Sequence, residues 1–434
     1  MIQRAQTLLR RAKESALARN SGWMFLGYGM RIVVQAAYFI LIARALGPEQ
    51  YGAFVGVVAL VALVAPYVSL GGGNLLVKNV SRDKSVFAEY WGNALFLIAV
   101  SGAALLGVVL STAHFLLPHS IPWKLILLVC VADLIAVRGS EVGGQCFQAT
   151  DQLRHTATLT LLPAILRLAG AAIVFTVWGH ASALVWGWFY MGAAVISGLV
   201  AVAMTRMKLG APRLALGRIP RELTEGFYFG TSLCAQTVYN DIDKTMLARL
   251  STLEATGIYG AAYRIIDVSF TPVRSVLNAA YTNFFRHGKS GIASTFSYAR
   301  KLLPKMMGYS AFVCVAVFVA APLVPYILGA EYARTVEALR WLALLPFFKS
   351  MHYFLADSLT GAGHQGVRTA GQIGVALFNI GLNIWLIPAY SWRGAAWASL
   401  ASDGALVLVM YVAVMVILGK EARARAETAQ AAMV

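Results

Sequence analysis

The chain is a succession of apolar segments, each close to the length at which an α-helix crosses a lipid bilayer. A hydrocarbon core about 30 Å thick takes about 20 residues of helix. The pattern therefore predicts an all-α integral membrane protein with about twelve transmembrane helices. The predicted spans are residues 21–43, 51–73, 90–114, 122–148, 155–178, 181–204, 226–249, 257–284, 305–328, 337–361, 367–388 and 394–418.

The composition agrees with this and excludes a soluble fold. Of 434 residues, 59% are hydrophobic and only 13% are charged, and the mean hydropathy is +0.67. That balance is typical of a polytopic membrane protein. The net charge of +17 does not indicate nucleic-acid binding, because the basic residues lie mostly between the apolar segments. The four cysteines lie within apolar segments without metal-ligand spacing, and we interpret them as small apolar residues.

The distribution of lysine and arginine predicts the orientation. Most of the 36 basic residues lie in the two tails and in the connections that follow even-numbered spans. Cytoplasmic loops carry such an excess, so both termini are predicted to be cytoplasmic. The opposite loops hold only Arg44, Lys124, Arg249, Arg334, Arg340 and Arg393.

The chain divides at its longest connection between spans. Residues 1–20 are interpreted as a basic amphipathic tail on the cytoplasmic surface. A basic cytoplasmic linker at 205–225 separates an N-lobe at 21–204 from a C-lobe at 226–418. Residues 419–434 are interpreted as a cytoplasmic C-terminal tail.

The two lobes look like copies of one six-helix unit. Tyr51-Gly52-Ala53 and Tyr259-Gly260-Ala261 fall in matching places, and so do QATDQLR at 148–154 and TGAGHQGVR at 360–368. Because six is even, both copies have the same orientation, which predicts a pseudo-symmetric parallel repeat. Substrate sites of such proteins tend to lie between the halves.

Charged residues inside the spans are candidates for function, because they are costly in lipid unless they face water or a partner. One polar stripe follows a single face of the eighth span. Within it, Arg264 and Asp267 are one turn apart and can form a structural pair, which leaves Arg274 without a local partner and favours a polar cavity. The stripe consists of Gly260, Arg264, Asp267, Thr271, Arg274 and Asn278.

Other spans carry shorter stripes and pairs. Span 1 places Tyr28, Arg31, Gln35 and Tyr38 on one face, and span 10 places Lys349 and Asp357 among other polar residues. Tyrosines of this kind stack on sugars or simply pack, and packing is the commoner case.

Three further sets of charges are candidates for structural pairs. Arg138 with Glu141, and Asp241 with Lys244, are three residues apart and are interpreted as such pairs. Arg167 can form an ion pair with either Asp133 or Glu141.

Three motifs carry a resemblance to a known family. They are ARALGPEQYGAF at 43–54, SLGGGNLLVKNVSR at 69–82 and YNDIDKTMLARLSTLEATGIYGAAYR at 239–264. They resemble the polysaccharide-transporter, or Wzx-type, branch of the MOP (MATE-like) flippase superfamily. The second motif departs from the usual form in its run Gly71-Gly72-Gly73, which is expected to loosen the end of helix 2. The resemblance implies two six-helix lobes around a central, often cationic, cavity, and a lipid-linked oligosaccharide as cargo.

The combined reading is a bacterial inner-membrane flippase that needs no cofactor and is not an enzyme. It would move an undecaprenyl-pyrophosphate-linked oligosaccharide by alternating access for lipopolysaccharide, O-antigen or exopolysaccharide synthesis. Expected partners are this lipid-linked sugar, membrane lipids and polysaccharide synthesis or polymerase proteins. Arginine suits a pyrophosphate because it presents a fixed fork of donors. The candidate residues are Arg31, Arg264, Arg274, Lys349, Tyr28 and Gln35 for substrate, and Asp267, Asp243 and Asp357 for a coupling proton or Na⁺.

Two other functions remain open. A drug or cation antiporter of the same superfamily is disfavoured by the cationic stripes. An integral-membrane polymerase or ligase is disfavoured because every predicted external loop is short. The GxGxxG match at 361–366 follows a membrane helix without a preceding strand, so we interpret it as a helix stop and turn.

Overall fold

The computed structural model describes the backbone of residues 2–431 and the side chains of residues 29–217, 230, 234, 236–423 and 427. Within this part of the chain the secondary structure is helical and contains no strand. The helices are α1 (Ile2–Val64), α2 (Gly72–Val80), α3 (Phe87–Leu116), α4 (Trp123–Cys130), α5 (Val137–Ala149), α6 (Leu153–Trp178), α7 (Ala183–Leu209), α8 (Ile219–Leu250), α9 (Leu253–Ser269), α10 (Thr271–Gly288), α11 (Ile292–Ala320), α12 (Val324–Leu328), α13 (Thr335–Leu342), α14 (Leu345–Gly361), α15 (Gln365–Tyr390) and α16 (Trp392–Ala431).

Each predicted span overlaps one of these helices, so the all-α membrane fold is confirmed. Helix α1 contains the first span and most of the second, which are divided at Gly47, where φ is 66° and ψ is 170°. Seven helical segments among the described residues are long and apolar enough to cross a membrane. The fourth, seventh, eighth and tenth spans are not among them, and these are the spans that carry most of the charges. The protein is a multi-pass membrane protein.

The eighth and tenth predicted spans are each divided into two helices, which the sequence analysis did not anticipate. The eighth is broken at Phe270, between α9 and α10, and the tenth between α13 and α14. In both cases the new helix has proline at its second position, Pro272 in α10 and Pro346 in α14. Proline lacks the backbone N–H that a continuous helix needs and is tolerated in the first turn.

The glycine-rich end of the second predicted span is irregular, as expected. Residues 65–71 form a 3₁₀ segment in which Ser69 and Leu70 have φ values of 59° and 46°. Positive φ is strained for residues with a side chain beyond Cα, so the surrounding packing must hold this turn. Helix α2 resumes at Gly72, and a Cβ on the next residue, Gly73, would collide with the side chain of Gln145.

The chain forms two compact units. The first comprises residues 1–46 and 57–234, and the second comprises residues 47–56 and 235–434. The short stretch 47–56 packs in the second unit because two glycines permit backbone contact. A Cβ on Gly52 would collide with the carbonyl oxygen of Leu253, and a Cβ on Gly257 would collide with that of Pro48.

The connection predicted as a linker at 205–225 is shorter than expected. Helix α7 continues to Leu209 and α8 begins at Ile219, so residues 210–215 are the irregular part. Side chains from Arg218 to Phe229 lie outside the described residues, as do those of the N-terminal tail.

In the second unit, α10 buries one face and exposes the other. Phe270, Val273, Leu277 and Phe284 pack with Phe354 of α14 in one apolar cluster. Arg274 and Asn278 on the opposite side are exposed. Helix α11, which lacks charges in its apolar half, instead exposes Phe312, Val315 and Val319. Apolar exposure of this kind fits a lipid-facing helix, whereas the polar stripe of α10 fits a surface that faces water or a ligand.

Candidate functional site

Lys349 of α14 is a buried cation in the second unit. The residue is 3% exposed. Its ammonium donates hydrogen bonds to Oδ1 of Asn240, at 3.1 Å, and to the hydroxyl oxygen of Tyr263, at 2.7 Å. Among the described residues these two neutral groups are its hydrogen-bond partners. An ammonium has three donors, so Lys349 retains one N–H for a further acceptor.

A second lysine lies against the same tyrosine. The ammonium of Lys244, on α8, is 3.8 Å from the centre of the Tyr263 ring, and that of Lys349 is 4.7 Å away. The negative face of an aromatic ring attracts cations at such distances. Tyr263 therefore holds two lysines from different helices in one place, which the sequence did not predict.

The predicted pair of Lys244 with Asp241 is confirmed. Nζ of Lys244 lies 2.7 Å from Oδ1 of Asp241 and 3.7 Å from Oδ1 of Asp243. Lys244 is thus neutralised by neighbours on its own helix, whereas the partners of Lys349 are neutral.

Asp243, a candidate for ion coupling, lies inside the second unit. The residue is fully buried. Its Oδ2 accepts hydrogen bonds from the hydroxyls of Tyr259, at 2.5 Å, and Ser399, at 3.0 Å. Donors from α9 and α16 therefore hold this carboxylate beside Lys244.

The polar stripe on α9 and α10 is partly exposed, but its pairing differs from the expectation. The ion pair of Asp267 is with Arg274, whose Nη2 lies 3.9 Å from Oδ1, and not with Arg264. The expectation that Arg274 has no local partner is therefore wrong. The break at Phe270 lies between the paired residues, so ideal helix spacing does not govern their separation. The contact is loose, because 3.9 Å exceeds hydrogen-bond distance and the Arg274 side chain is 55% exposed.

Asp357, the other candidate for ion coupling, is held by an arginine. Nη1 of Arg368 donates to Oδ1 of Asp357 at 3.0 Å and to the hydroxyl of Thr360 at 2.8 Å. Both charged side chains are largely buried, at 12% and 9% exposure. The arrangement joins the end of α14 to the start of α15, as expected of a structural ion pair.

The remaining substrate candidates belong to the first unit. Arg31 and Gln35 are half-buried on α1, and the side chain of Tyr28 lies outside the described residues. Tyr38 stacks on Trp186 with 5.5 Å between ring centres, which is the packing role given as the commoner one for tyrosines.

Two further sets of charges in the first unit are ion pairs. Nη2 of Arg167 lies 3.8 Å from Oδ1 of Asp133, which decides between its two possible partners. The predicted pair of Arg138 with Glu141 is confirmed at 2.7 Å.

A buried polar pair was missed by the sequence analysis. His352 of α14 and Asp403 of α16 are 2% and 4% exposed, and Nε2 of the imidazole lies 3.1 Å from Oδ1 of the carboxylate. Asp403 is an acid within the predicted span 394–418, but no spacing connects it to a residue 51 positions earlier.

The distinguishing feature of the second unit is Lys349, a buried cation whose hydrogen-bond partners among the described residues are neutral and which has a donor left for an anionic group. A comparison with protein families gives a match between residues 17–281 and the model for "Polysaccharide biosynthesis protein". The match covers more than half of the chain. The chain belongs to this polysaccharide biosynthesis protein family. A comparison with curated protein sequences gives no match.

Solved structures of MOP-superfamily transporters have the same fold as this family member. An inward-facing multidrug resistance MATE family transporter superposes with a TM-score of 0.73 at 13% identity, over 89% of this chain and 96% of that one. The lipid II flippase MurJ, in an inward closed conformation, gives 0.70 at 12% identity, over 90% and 87%. A MOP superfamily transporter from Pyrococcus furiosus gives 0.63 at 14% identity, over 93% and 96%. At these identities the likeness shows the fold alone.

Proposed function

We propose that the protein is a flippase that moves a lipid-linked oligosaccharide, joined to its lipid by pyrophosphate, across the bacterial inner membrane by alternating access. Membership of the polysaccharide biosynthesis protein family supports a cargo from that chemistry. The fold supports transport, because both a lipid II flippase and drug transporters share it. The choice between these cargoes depends on the site.

The observation that carries the proposal is the environment of Lys349. Within the described part of the chain, Lys349 has no carboxylate among its hydrogen-bond partners, and a buried charge of this kind is costly in an apolar setting, which makes it a candidate for function. Its unused N–H supplies a donor for an anion. Tyr263 and Arg264 lie on the same helix, α9, and the Tyr263 hydroxyl accepts a hydrogen bond from Lys349 of α14. Arg274 lies on the next helix, α10.

The charges around this site favour an anionic cargo over a cationic drug. Lys244 is paired with Asp241 and Arg274 with Asp267, whereas the hydrogen-bond partners of Lys349 among the described residues are neutral. Lys349 can therefore take an anionic partner, and guanidinium groups such as that of Arg264 bind phosphate oxygens through paired hydrogen bonds. We assign Arg264, Arg274 and Lys349 of the second unit to the pyrophosphate. Arg31, Gln35 and Tyr28 stay separate substrate candidates in the first unit.

Binding of the cargo does not by itself drive transport in one direction, so transport needs an energy source. We propose that an ion gradient supplies it, coupled to transport through an aspartate. Asp267 is a preferred candidate because it pairs with Arg274 of the proposed site. Asp243 is the other, because it lies beside Lys244, which shares the Tyr263 ring with Lys349. Asp357 is less favoured, because Arg368 already neutralises it.

The orientation in the membrane has a direct test. Single cysteines replacing Ser120 and Arg334, in a background without native cysteines, are expected to react with an impermeant thiol reagent from outside the cell. Cysteines replacing Ser81 and Arg213 are expected to react only after permeabilisation. All four positions are exposed in the structure. The reverse labelling pattern would overturn both the cytoplasmic termini and the direction of transport.

The function is tested by replacing Lys349 with methionine, which keeps the length of the side chain and removes its charge. We expect Lys349→Met to abolish surface polysaccharide while the protein remains inserted at normal abundance. Lys349→Arg should retain part of the activity, because the charge persists. Lys289→Met is the matched control, since Lys289 is an exposed lysine outside the proposed site. Wild-type export by Lys349→Met would refute the assignment.

A binding measurement separates cargo classes. Purified protein should gain thermal stability from a polyprenyl pyrophosphate, because a ligand that binds only the folded state stabilises it, and by more the tighter it binds. The gain should shrink in Lys349→Met and in Arg274→Ala. Stabilisation by cationic drugs and not by polyprenyl pyrophosphate would favour the antiporter instead.

A further inference from the structure

A cavity of about 540 Å³ lies in the second unit, away from Lys349, where three connections between helices meet. Its walls come from the turns between α8 and α9, between α12 and α13, and between α15 and α16. These are connections that we place on the non-cytoplasmic side. The volume falls within the range of about 300–1,000 Å³ that is usual for small-molecule sites.

Two ion pairs join different segments of the chain around this cavity. Nε and Nη2 of Arg393 each donate to a carboxylate oxygen of Glu337 at 2.9 Å, which is a two-pronged contact. Arg334 and Glu254 are 3.7 Å apart, which exceeds hydrogen-bond distance. Glu254 and Glu337 lie in the first turns of α9 and α13, where the helix dipole favours a negative charge. The two-pronged contact thus holds the Glu337 carboxylate in place before any ligand arrives.

These groups retain unused hydrogen-bonding capacity. An arginine has five donors, of which Arg393 uses two, and a carboxylate offers about four acceptor positions. Arg334 and Glu254 leave more, because their contact is long. Ser251 and Ser391 add hydroxyls that lie 2.6 Å from each other. Hydrogen-bond donors and acceptors therefore line one cavity, and its four charged side chains are 47–71% exposed.

The balance of charge selects the class of ligand. Two arginines face two glutamates, so the lining has no formal surplus that would favour an anion or a cation. The polar groups disfavour an apolar ligand, which would leave them without partners. A ligand rich in vicinal hydroxyls can use acceptors and donors together. Tyr390, which is 51% exposed and packs on Trp397 at 5.0 Å between ring centres, adds an aromatic face of the kind that stacks on sugar rings.

We propose that this cavity binds a short saccharide. Glu254 and Glu337 accept hydrogen bonds from sugar hydroxyls, Arg334 and Arg393 donate to them, and Tyr390 packs against the ring. The proposal rests on the proposed function for the source of the sugar, namely the oligosaccharide part of the cargo after it has crossed the membrane. The site itself is distinct from the pyrophosphate site at Lys349.

The experiment measures binding of free saccharides that carry neither lipid nor pyrophosphate. The probe is a panel of di- and trisaccharides built from hexoses, deoxyhexoses and N-acetylhexosamines, titrated into the purified full chain and followed by calorimetry and thermal stability. We expect at least one member to bind. Glu337→Gln and Tyr390→Ala should each weaken that binding about tenfold, as expected for a lost charge-assisted hydrogen bond or stacking contact.

The controls separate this site from the proposed function and from misfolding. Glu331→Gln changes an exposed glutamate that does not line the cavity and should bind as the wild type does. Lys349→Met should also bind free saccharide normally. If it does so yet still exports polysaccharide, the pyrophosphate assignment fails and the saccharide site stands. The saccharide site is overturned if no panel member binds at millimolar concentration, or if Glu337→Gln and Tyr390→Ala, both stably folded, bind as the wild type does.

Discussion

The ammonium of Lys349 donates a 2.7 Å hydrogen bond to the hydroxyl oxygen of Tyr263. The two residues are 86 positions apart, on α14 and α9, and both are buried. Because Lys244 also lies over the Tyr263 ring, one phenol positions two cations inside the second unit. This arrangement makes Tyr263 a positioning residue for the proposed anion site.

Substitutions of Tyr263 should therefore separate its two contributions. Tyr263→Phe keeps the ring and removes the hydrogen bond, for which we expect transport to fall about fivefold, in line with about 1 kcal/mol. Tyr263→Leu also removes the cation–π contacts and should lower transport further. The measurement is the rate of lipid-linked oligosaccharide transport in vesicles at matched protein amounts. Equal rates for the phenylalanine and leucine variants would show that the ring contributes nothing.

The pair of Asp357 with Arg368 should behave as a structural element. Asp357→Asn leaves a largely buried guanidinium without its charge partner, so we expect a loss of about 3 kcal/mol in stability. The melting temperature of the purified protein and its abundance in membranes report this loss. An Asp357→Asn variant with normal stability but no transport would return Asp357 to the ion-coupling group.

Two glycines in the second unit should not tolerate a methyl group. Gly52→Ala and Gly257→Ala each place a Cβ against a backbone carbonyl, at Leu253 and Pro48 respectively, where no flexible side chain can yield. We expect about 3 kcal/mol of destabilisation and low membrane abundance for each variant. Gly107→Ala is the control, because a Cβ on that glycine meets nothing within 4 Å. Normal abundance of the Gly52 and Gly257 variants would mean that the close contact is not needed for folding.

His352 and Asp403 should show a large coupling in a double-mutant cycle. Either single substitution, His352→Leu or Asp403→Leu, leaves a buried polar partner and should cost about 3–5 kcal/mol. The double variant should cost less than the two single losses together, by about 1–3 kcal/mol. Denaturation in detergent measures all four corners. The partly exposed pair of Arg138 and Glu141 is the comparison, with a coupling of about 0.5 kcal/mol expected.

Local patterns in the sequence were sufficient for much of the fold. The spans were recognisable because a bilayer demands a minimum apolar length, and the family because its motifs lie in short continuous stretches. The pairs Arg138–Glu141 and Asp241–Lys244 were predictable for the same reason. Residues three apart on a helix are neighbours whatever the rest of the chain does.

The breaks between α9 and α10 and between α13 and α14 had a local signal in Pro272 and Pro346, which the apolar length of the spans concealed. The consequence was larger than the break itself. Once the helix is interrupted at Phe270, regular spacing no longer predicts which residues meet, and Asp267 pairs with Arg274 instead of Arg264.

The sequence alone was therefore sufficient to predict the order of the helices, their apolar lengths, the family and the short-range pairs. Each of these depends on residues that are close along the chain. Three features depended on how separate helices pack. They are the contacts of Lys349 with Asn240 and Tyr263, the pairing of His352 with Asp403, and the cavity around Glu337 and Arg393. No periodicity within one helix encodes a contact with another. Such contacts arise because burying a charge or a polar group requires a partner, and packing decides which residue is near enough to supply it.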